Sequence, residues 1–159
     1  MVTGGAGFLG RRVVSALRER GGADIQVPLQ EDYDLCREAV VERVYSDLRP
    51  HIVIHLAAEV GGIGANRANP GRFAYRNLVM GALLMEHARL FGVEKVVALG
   101  TICAYPKFAH VPFREEELWD GYPEEMESSV AIETPFPSSS TPGTSFTLTI
   151  LEYQTPFSK

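Results

Sequence analysis

Three glycines spaced every third residue, Gly4, Gly7 and Gly10 in VTGGAGFLG, are the residues of this chain whose spacing points most directly to chemistry. A backbone that must turn sharply off a strand, approach a pyrophosphate and let a helix pack close to a sheet needs residues without a Cβ at those points. The N–H groups and positive dipole end of the following helix then face the phosphates. A tight turn alone would also account for the glycines. Their context favours the phosphate loop: Thr3 precedes them, Leu9, Val13, Ala16 and Leu17 recur at helical spacing, and Gly21-Gly22 stops the helix where a C-cap belongs. The two cysteines, Cys36 and Cys103, stand far apart without metal-ligand spacing and read as reduced thiols.

A loop of this kind needs a strand before it and a sheet around it. The strand before the glycines has only Met1, Val2 and Thr3, so the start of the chain reads as clipped. Ile25 to Pro28 reads as a short second strand, and Asp34 as the N-cap of a helix carrying Val40, Val41, Val44 and Leu48 that Arg49-Pro50 ends. HIVIHLAA, from His51 to Ala58, is a continuous apolar run, which suits a parallel strand covered on both faces. Gly61 to Pro70 reads as a loop. Asn69-Pro70 opens a long helix through Phe73, Asn77, Met80, Leu84, Met85 and Ala88 to near Gly92, and KVVALG, from Lys95, is the next buried strand. Strands near residues 2, 26, 54 and 97 alternating with helices imply right-handed crossovers. The expected fold is α/β, a Rossmann-like doubly wound parallel sheet, truncated to the first half of the nucleotide-binding domain. Its crevice lies at the carboxyl ends of the strands, where the glycine loop, Ala57 to Asn66 and Thr101 to Lys107 would meet.

With 159 residues, 45% of them apolar, the chain can bury one core. Its net charge of −5 and scattered basic residues argue against a nucleic-acid surface. No apolar stretch is long enough to span a bilayer and the first residues lack a signal peptide's apolar run, so a cytoplasmic protein without a membrane partner is expected.

TGGAGFLG, HLAAEVGGIGANRANP and GTICAYPKF, followed by VPFREEELWDGYPEE, resemble the extended short-chain dehydrogenases of the NAD-dependent epimerase/dehydratase type, and closely the GDP-L-fucose synthase branch. The likeness runs from Val2 to about Glu125. TGxxGxxG is shared by the whole superfamily, whereas VGGIGAN and CAYPK belong to that branch. The resemblance implies an enzyme that inverts the two carbons beside the ketone of GDP-4-keto-6-deoxy-D-mannose and then reduces the ketone with hydride from NADPH. It also implies a GDP-sugar as partner, and a homodimer for full-length members.

Several residues gain roles by this resemblance. Epimerisation beside a ketone needs one group to remove a proton and another to return it on the opposite face. Cys103, in CAYPK, would be one of that pair, although alone it would read as an inert buried thiol. Thr101 falls where the superfamily places a hydroxyl that binds the substrate carbonyl. Gly4, Gly7, Phe8, Leu9 and Gly10, with Leu56, Ala57 and Ala58, form the implied cofactor-binding set. Asn66 and Lys107 fall on the substrate side, with Arg67 beside the first and Tyr105 near the second, the latter without a chemical step. His55, inside a strand, reads first as a satisfied core histidine. Asn77 would support the active site, Cys36 is incidental, and the acidic run from Glu115 is a solvated loop.

The cofactor implied by the family is NADP, with NAD left open. NAD specificity usually shows an acidic residue about 20 positions after the glycines and NADP specificity an Arg. Leu29 stands where members of the branch often carry Arg, and Arg11 and Arg12 are the candidates to replace it.

After Glu125 the pattern departs from the family. Its YxxxK helix would place a Tyr at Val130 and a Lys at Thr134, and neither residue can do that chemistry. Tyr153 and Lys159 lack the i, i+4 spacing that stacks side chains on a helix. From Ser128 to Lys159 more than half of the residues are Ser, Thr or Pro, which reads as loop, edge strand or disorder. The expected organisation is a partial NAD(P)-binding domain over residues 1–127 and a non-family tail over 128–159. A non-catalytic dinucleotide-binding remnant is the competing functional reading, ahead of another NAD(P)-dependent nucleotide-sugar epimerase or dehydratase.

Overall fold

In the computed structural model, the first strand, β1 (Val2–Thr3), has a neighbour on each side. Val2 N donates to Gln26 O (2.8 Å) on one edge, while Ile54 N and Leu56 N donate to the carbonyls of Met1 (2.9 Å) and Thr3 (3.1 Å) on the other. The chain thus leaves β1 in one direction and returns in the opposite one, which makes β1 the switch point of a doubly wound sheet. The structure describes residues 1–22, 24–101 and 104–121, and the backbone of 145–150; positions 63, 66 and 67 are described by backbone alone.

The sheet order is β1-β2-β3-β4, with β2 at Ile52–His55, β3 at Lys95–Gly100 and β4 at Ser145–Ile150. All three pairings are parallel, in registers such as Thr3↔His55, Ile54↔Val97 and Val97↔Thr147. Right-handed crossovers running both ways from β1 put α1 (Phe8–Glu19) on one face and α2 (Glu38–Leu48) and α4 (Pro70–Leu90) on the other. A short α3 (Ile63–Ala68) and a 3₁₀ turn (Glu115–Trp119) complete the described elements.

The expected strands near 2, 54 and 97 are present and parallel. The one near 26 is not: Ile25 to Pro28 meets β1 through one backbone bond and forms no ladder. Pro28 has no N–H to give, so the segment cannot extend the single bond at Gln26 into a ladder. Of the three readings for the tail, edge strand holds over 145–150, where SFTLTI alternates apolar and hydroxyl residues; the rest of the tail lies outside the described residues.

Helix boundaries follow the local chemistry. Gly21 (φ +90°) and Gly22 end α1 in a Schellman pair, Gly22 N to Leu17 O (2.9 Å) and Gly21 N to Arg18 O (3.0 Å). Arg49, left-handed at φ 43°, ends α2 before Pro50. Asp34 does not cap α2, whose N-cap is Arg37. Its carboxylate instead accepts from Cys36 N (3.2 Å) in an Asx turn, which delays the helix by one turn. The stretch expected as loop from Gly61 to Pro70 contains α3, because Asn69 interrupts what α4 continues.

The core lies between the sheet and the α2/α4 layer. Val41, Val44 and Tyr45 of α2 meet Leu84 and Ala88 of α4 over Val53 and Val96. Tyr45 is fully buried, and its hydroxyl donates to Leu84 O (2.7 Å), so the phenol fills the layer without an unpaired oxygen. Desolvation raises its pKa well above the usual tyrosine value. This packing holds β2 and α4, which carry the site.

Candidate active site

The carboxyl end of β1 and the start of α1 are fastened by the glycines, each for a different reason. Gly4 has φ +69°, and a Cβ there would lie 2.7 Å from Ala57 N and from Leu56 C; the loop passes directly over the end of β2. At Gly10 a Cβ would lie 2.1 Å from Gly4 O, so the first turn of α1 can sit on the loop only without a side chain. Gly7 differs. Its Cβ would meet only Gly4 O, at 3.1 Å, and its φ of −72° suits any residue. Nothing in the protein demands glycine there as strongly, and Gly7 faces a cavity, which is what a backbone reserved for a ligand looks like. Gly7 is the N-cap of α1, and the first turn carries no acidic residue to compete for the helix's positive end.

Two cavities of about 460 and 430 Å³ open at this end of the sheet. Both fall in the range of small-molecule sites. The first is walled by Gly4, Gly7, Pro28 to Gln30, Tyr33 to Leu35, Arg76 and Met80. The second is walled by Phe8, Leu9, His55, Asn77, Gly81, Leu84 and Leu99 to Thr101 and is mostly apolar. Leu56, Ala57, Ala58 and Val60 line both, so the segment leaving β2 is a shared partition. The pair has the two-part form that a dinucleotide requires, with the glycine loop between the halves.

The partition is held from behind by α4. Asn77, 7% exposed, accepts from Glu59 N at Oδ1 (2.7 Å) and donates from Nδ2 to Glu59 O (3.0 Å). One side chain thus replaces the missing strand partner for both backbone groups of Glu59. The Glu59 carboxylate pairs with Arg72 Nη2 (2.7 Å) and with Arg76 Nε, and Arg76 Nη2 reaches Asp34 Oδ1 (3.2 Å). At the root of the partition Thr3 Oγ1 and His55 Nδ1 share a hydrogen bond of 2.7 Å between register partners. Desolvation lowers the His55 pKa to about 4, so the ring is neutral at ordinary pH.

Of the residues singled out from sequence, Gly4, Gly7, Phe8, Leu9, Leu56, Ala57, Ala58 and Thr101 converge on the two cavities. Gly10 lines neither and acts by packing. Cys103 lies outside the described residues, as do Val130, Thr134, Tyr153 and Lys159; Asn66 and Arg67 are on α3, with side chains undescribed. Lys107 lines neither cavity and lies over the Phe108 ring (5.9 Å). Tyr105 is buried and stacked on Phe113 (4.8 Å), a packing role, and burial raises its pKa. The run from Glu115, read as a solvated loop, is a solvent-facing 3₁₀ turn with no buried residue. Sequence reading passed over Glu59, Arg72 and Arg76; the i, i+4, i+8 stripe Arg72, Arg76, Met80 on α4 was the signal available.

A model of the NAD dependent epimerase/dehydratase family matches residues 1–127. The chain belongs to this family. GDP-L-fucose synthase of Sinorhizobium fredii is 40% identical to it over 120 residues, 76% of this chain and 38% of the relative. A GDP-L-fucose synthetase of Naegleria fowleri, solved bound to NADP, has 27% identity and a TM-score of 0.74 over 83% of this chain and 39% of that one. UDP-glucose 4-epimerase of Thermus thermophilus, solved in complex with NAD, has 31% identity and a TM-score of 0.63 over 82% of this chain and 46% of that one. The chain spans a little over a third of the length of the curated relatives it matches. Its fold is the Rossmann-like parallel sheet, with the glycine loop at the carboxyl end of β1. Among the described residues no helix is long and apolar enough to cross a membrane, and no group of three or more His, Cys, Asp or Glu is placed to hold a metal.

Proposed function

We propose that this chain carries the dinucleotide-binding and ketone-binding part of a GDP-L-fucose synthase-type epimerase–reductase acting on GDP-4-keto-6-deoxy-D-mannose in the cytoplasm. The observation that carries the reading is the two-part crevice with Gly7 open to it on a helix N-terminus. Relatives named GDP-L-fucose synthase and a neighbour solved with NADP support the substrate and cofactor class. A bound reduced nicotinamide supplies the hydride that reduces the ketone.

The residues of this chain divide the remaining work. The backbone of Gly4 and Gly7 with the α1 N-terminus seats the pyrophosphate, and Phe8, Leu9 and Leu56 to Ala58 wall the dinucleotide off from water. The hydroxyl of Thr101, a residue lining the second cavity, holds the substrate carbonyl, which polarises the neighbouring C–H bonds. Cys103, two residues on, exchanges the proton on one of those carbons. Asn66 and Lys107 belong to the GDP-sugar side. The nucleotide-binding unit is residues 1–127 and the tail is 128–159.

The 159-residue polypeptide stops short of turnover, because Val130 has no proton to deliver to the ketone oxygen and Thr134 no charge to lower a neighbour's pKa. General acid help of that kind is typically worth about 10² to 10⁴ in rate. Incubation with GDP-4-keto-6-deoxy-mannose and, in parallel, NADPH or NADH in deuterated water tests both halves. Slow label uptake beside the ketone that Cys103→Ser abolishes, without oxidation of either reduced dinucleotide, is the expected result. Turnover comparable to a full-length relative refutes the reading, and Tyr153 would be the first residue to mutate.

A further inference from the structure

We infer that the adenosine end of the crevice selects a dinucleotide with a free ribose 2′-hydroxyl, NAD(H), over one carrying a 2′-phosphate, and that Leu29 is the residue responsible. The inference rests on the dinucleotide reading of the crevice and concerns the part of it beyond the glycine loop. In a doubly wound fold the ribose next to adenine is met about 20 residues after the glycines, just past the segment beside the first strand. Here that segment is the one that bonds to β1 through Gln26, and Pro28, Leu29 and Gln30 follow it into the wall of the first cavity. A phosphate at that point carries about two negative charges and is held by guanidinium or ammonium groups in short charge-assisted bonds. Among the described residues lining this cavity, the single cation is Arg76, and it is committed to Asp34 and Glu59. Its partners leave the wall with no surplus positive charge.

The other arginines near it do not line this cavity. Arg43 lies over the Tyr33 ring (5.1 Å to its centre) and donates from Nη2 to Asp32 O (2.7 Å). Arg11 and Arg12, exposed on α1, line neither cavity. The Tyr33 hydroxyl donates to Asp47 (3.0 Å), so it is also engaged away from the ribose. Beside Leu29 and Gln30 the neighbouring group is Glu31, which lines the shallow hollow they share and repels a phosphate. A ribose hydroxyl makes no such demand. Gln30, in the same wall, offers an amide donor and an acceptor, which suit a neutral hydroxyl.

The test is direct titration of the 159-residue protein with NADH and with NADPH, followed by nicotinamide fluorescence at one fixed ionic strength. NADH is expected to bind at least roughly tenfold more tightly, the scale of one charge-assisted bond that the phosphate fails to recover. Leu29→Arg is expected to tighten NADPH roughly tenfold and to leave NADH within about twofold. NADPH binding equal to or tighter than NADH in the unchanged protein overturns the inference, and its loss in Arg12→Ala would name the cation that was misjudged. Unchanged NADPH affinity in Leu29→Arg overturns the placement of the 2′ position at Leu29. Failure of both nucleotides to bind overturns the dinucleotide reading itself, and the inference with it.

Discussion

Truncating Asn77 to alanine removes two hydrogen bonds at once and leaves both backbone groups of Glu59 without their partner. Asn77 is 7% exposed, so water reaches its own atoms poorly, whereas Glu59 borders the cavity and can be partly hydrated. A buried polar group stripped of its partner costs about 1 to 3 kcal/mol. Two groups at the low end of that range give about 2 kcal/mol, less roughly half a kcal/mol for the better helix propensity of alanine in α4. Asn77→Asp is a sharper probe, because it keeps the acceptor for Glu59 N and sets a carboxylate oxygen against Glu59 O, an acceptor facing an acceptor. It should be at least as destabilising as alanine at neutral pH and should recover as pH falls and the acid regains a proton. Glu59 continues the partition shared by the two cavities, so dinucleotide binding should weaken about fivefold as that segment must be reordered on binding. Urea unfolding followed by circular dichroism, with NADH titration alongside, measures both. A loss below about 0.5 kcal/mol for Asn77→Ala together with unchanged affinity would refute the idea that this amide holds the partition.

The glycines separate packing from ligand contact. Gly10→Ala drives a Cβ to 2.1 Å from Gly4 O and should cost about 1 to 3 kcal/mol or more in stability, whereas Gly7→Ala, meeting only one atom at 3.1 Å, should unfold near the unchanged protein yet lose at least roughly tenfold in dinucleotide affinity; equal urea midpoints for the two, or full binding by Gly7→Ala, would contradict this. His55 predicts an acid limb. Its folded-state pKa of about 4 lies below the usual 6.5, so the unfolded chain binds the extra proton between those values. Stability from this group is therefore complete above about pH 6.5, falls as pH drops toward 4, and amounts to at most about 3 kcal/mol. His55→Phe should flatten the dependence of urea midpoint on pH in that window, and an unchanged slope would assign it to other groups.

Much of the fold was legible in the sequence, because the period of the apolar residues is a local property. Continuous runs such as HIVIHLAA and KVVALG suit parallel strands, and β2 and β3 do pair in parallel, although only Val53 and Val96 within them are buried; the Gly21-Gly22 and Arg49-Pro50 signals end helices through backbone conformations available to a few residues. The same held for the glycine loop, whose requirement for missing Cβ atoms is written in the residue types. The failures came where a local signal met a longer-range one. Ile25 to Pro28 has strand-like residues, but a strand exists only as part of a ladder, and a single bond, Val2 N to Gln26 O, joins this segment to β1 before Pro28 removes the next donor. Asp34 has the chemistry of an N-cap, yet Arg76 lies 42 positions away and the Asx turn to Cys36 engages the same carboxylate. Which polar groups hold the partition was likewise decided in three dimensions: Asn77 reads as a helix residue until α4 is laid behind β2, and only that packing aims its amide at Glu59 and leaves Arg76 spent between two carboxylates. Spacing along a chain determines which faces are apolar and where the backbone can turn. The pairing of charges and hydrogen-bonding groups from distant segments depends on distances that exist only after those faces have met.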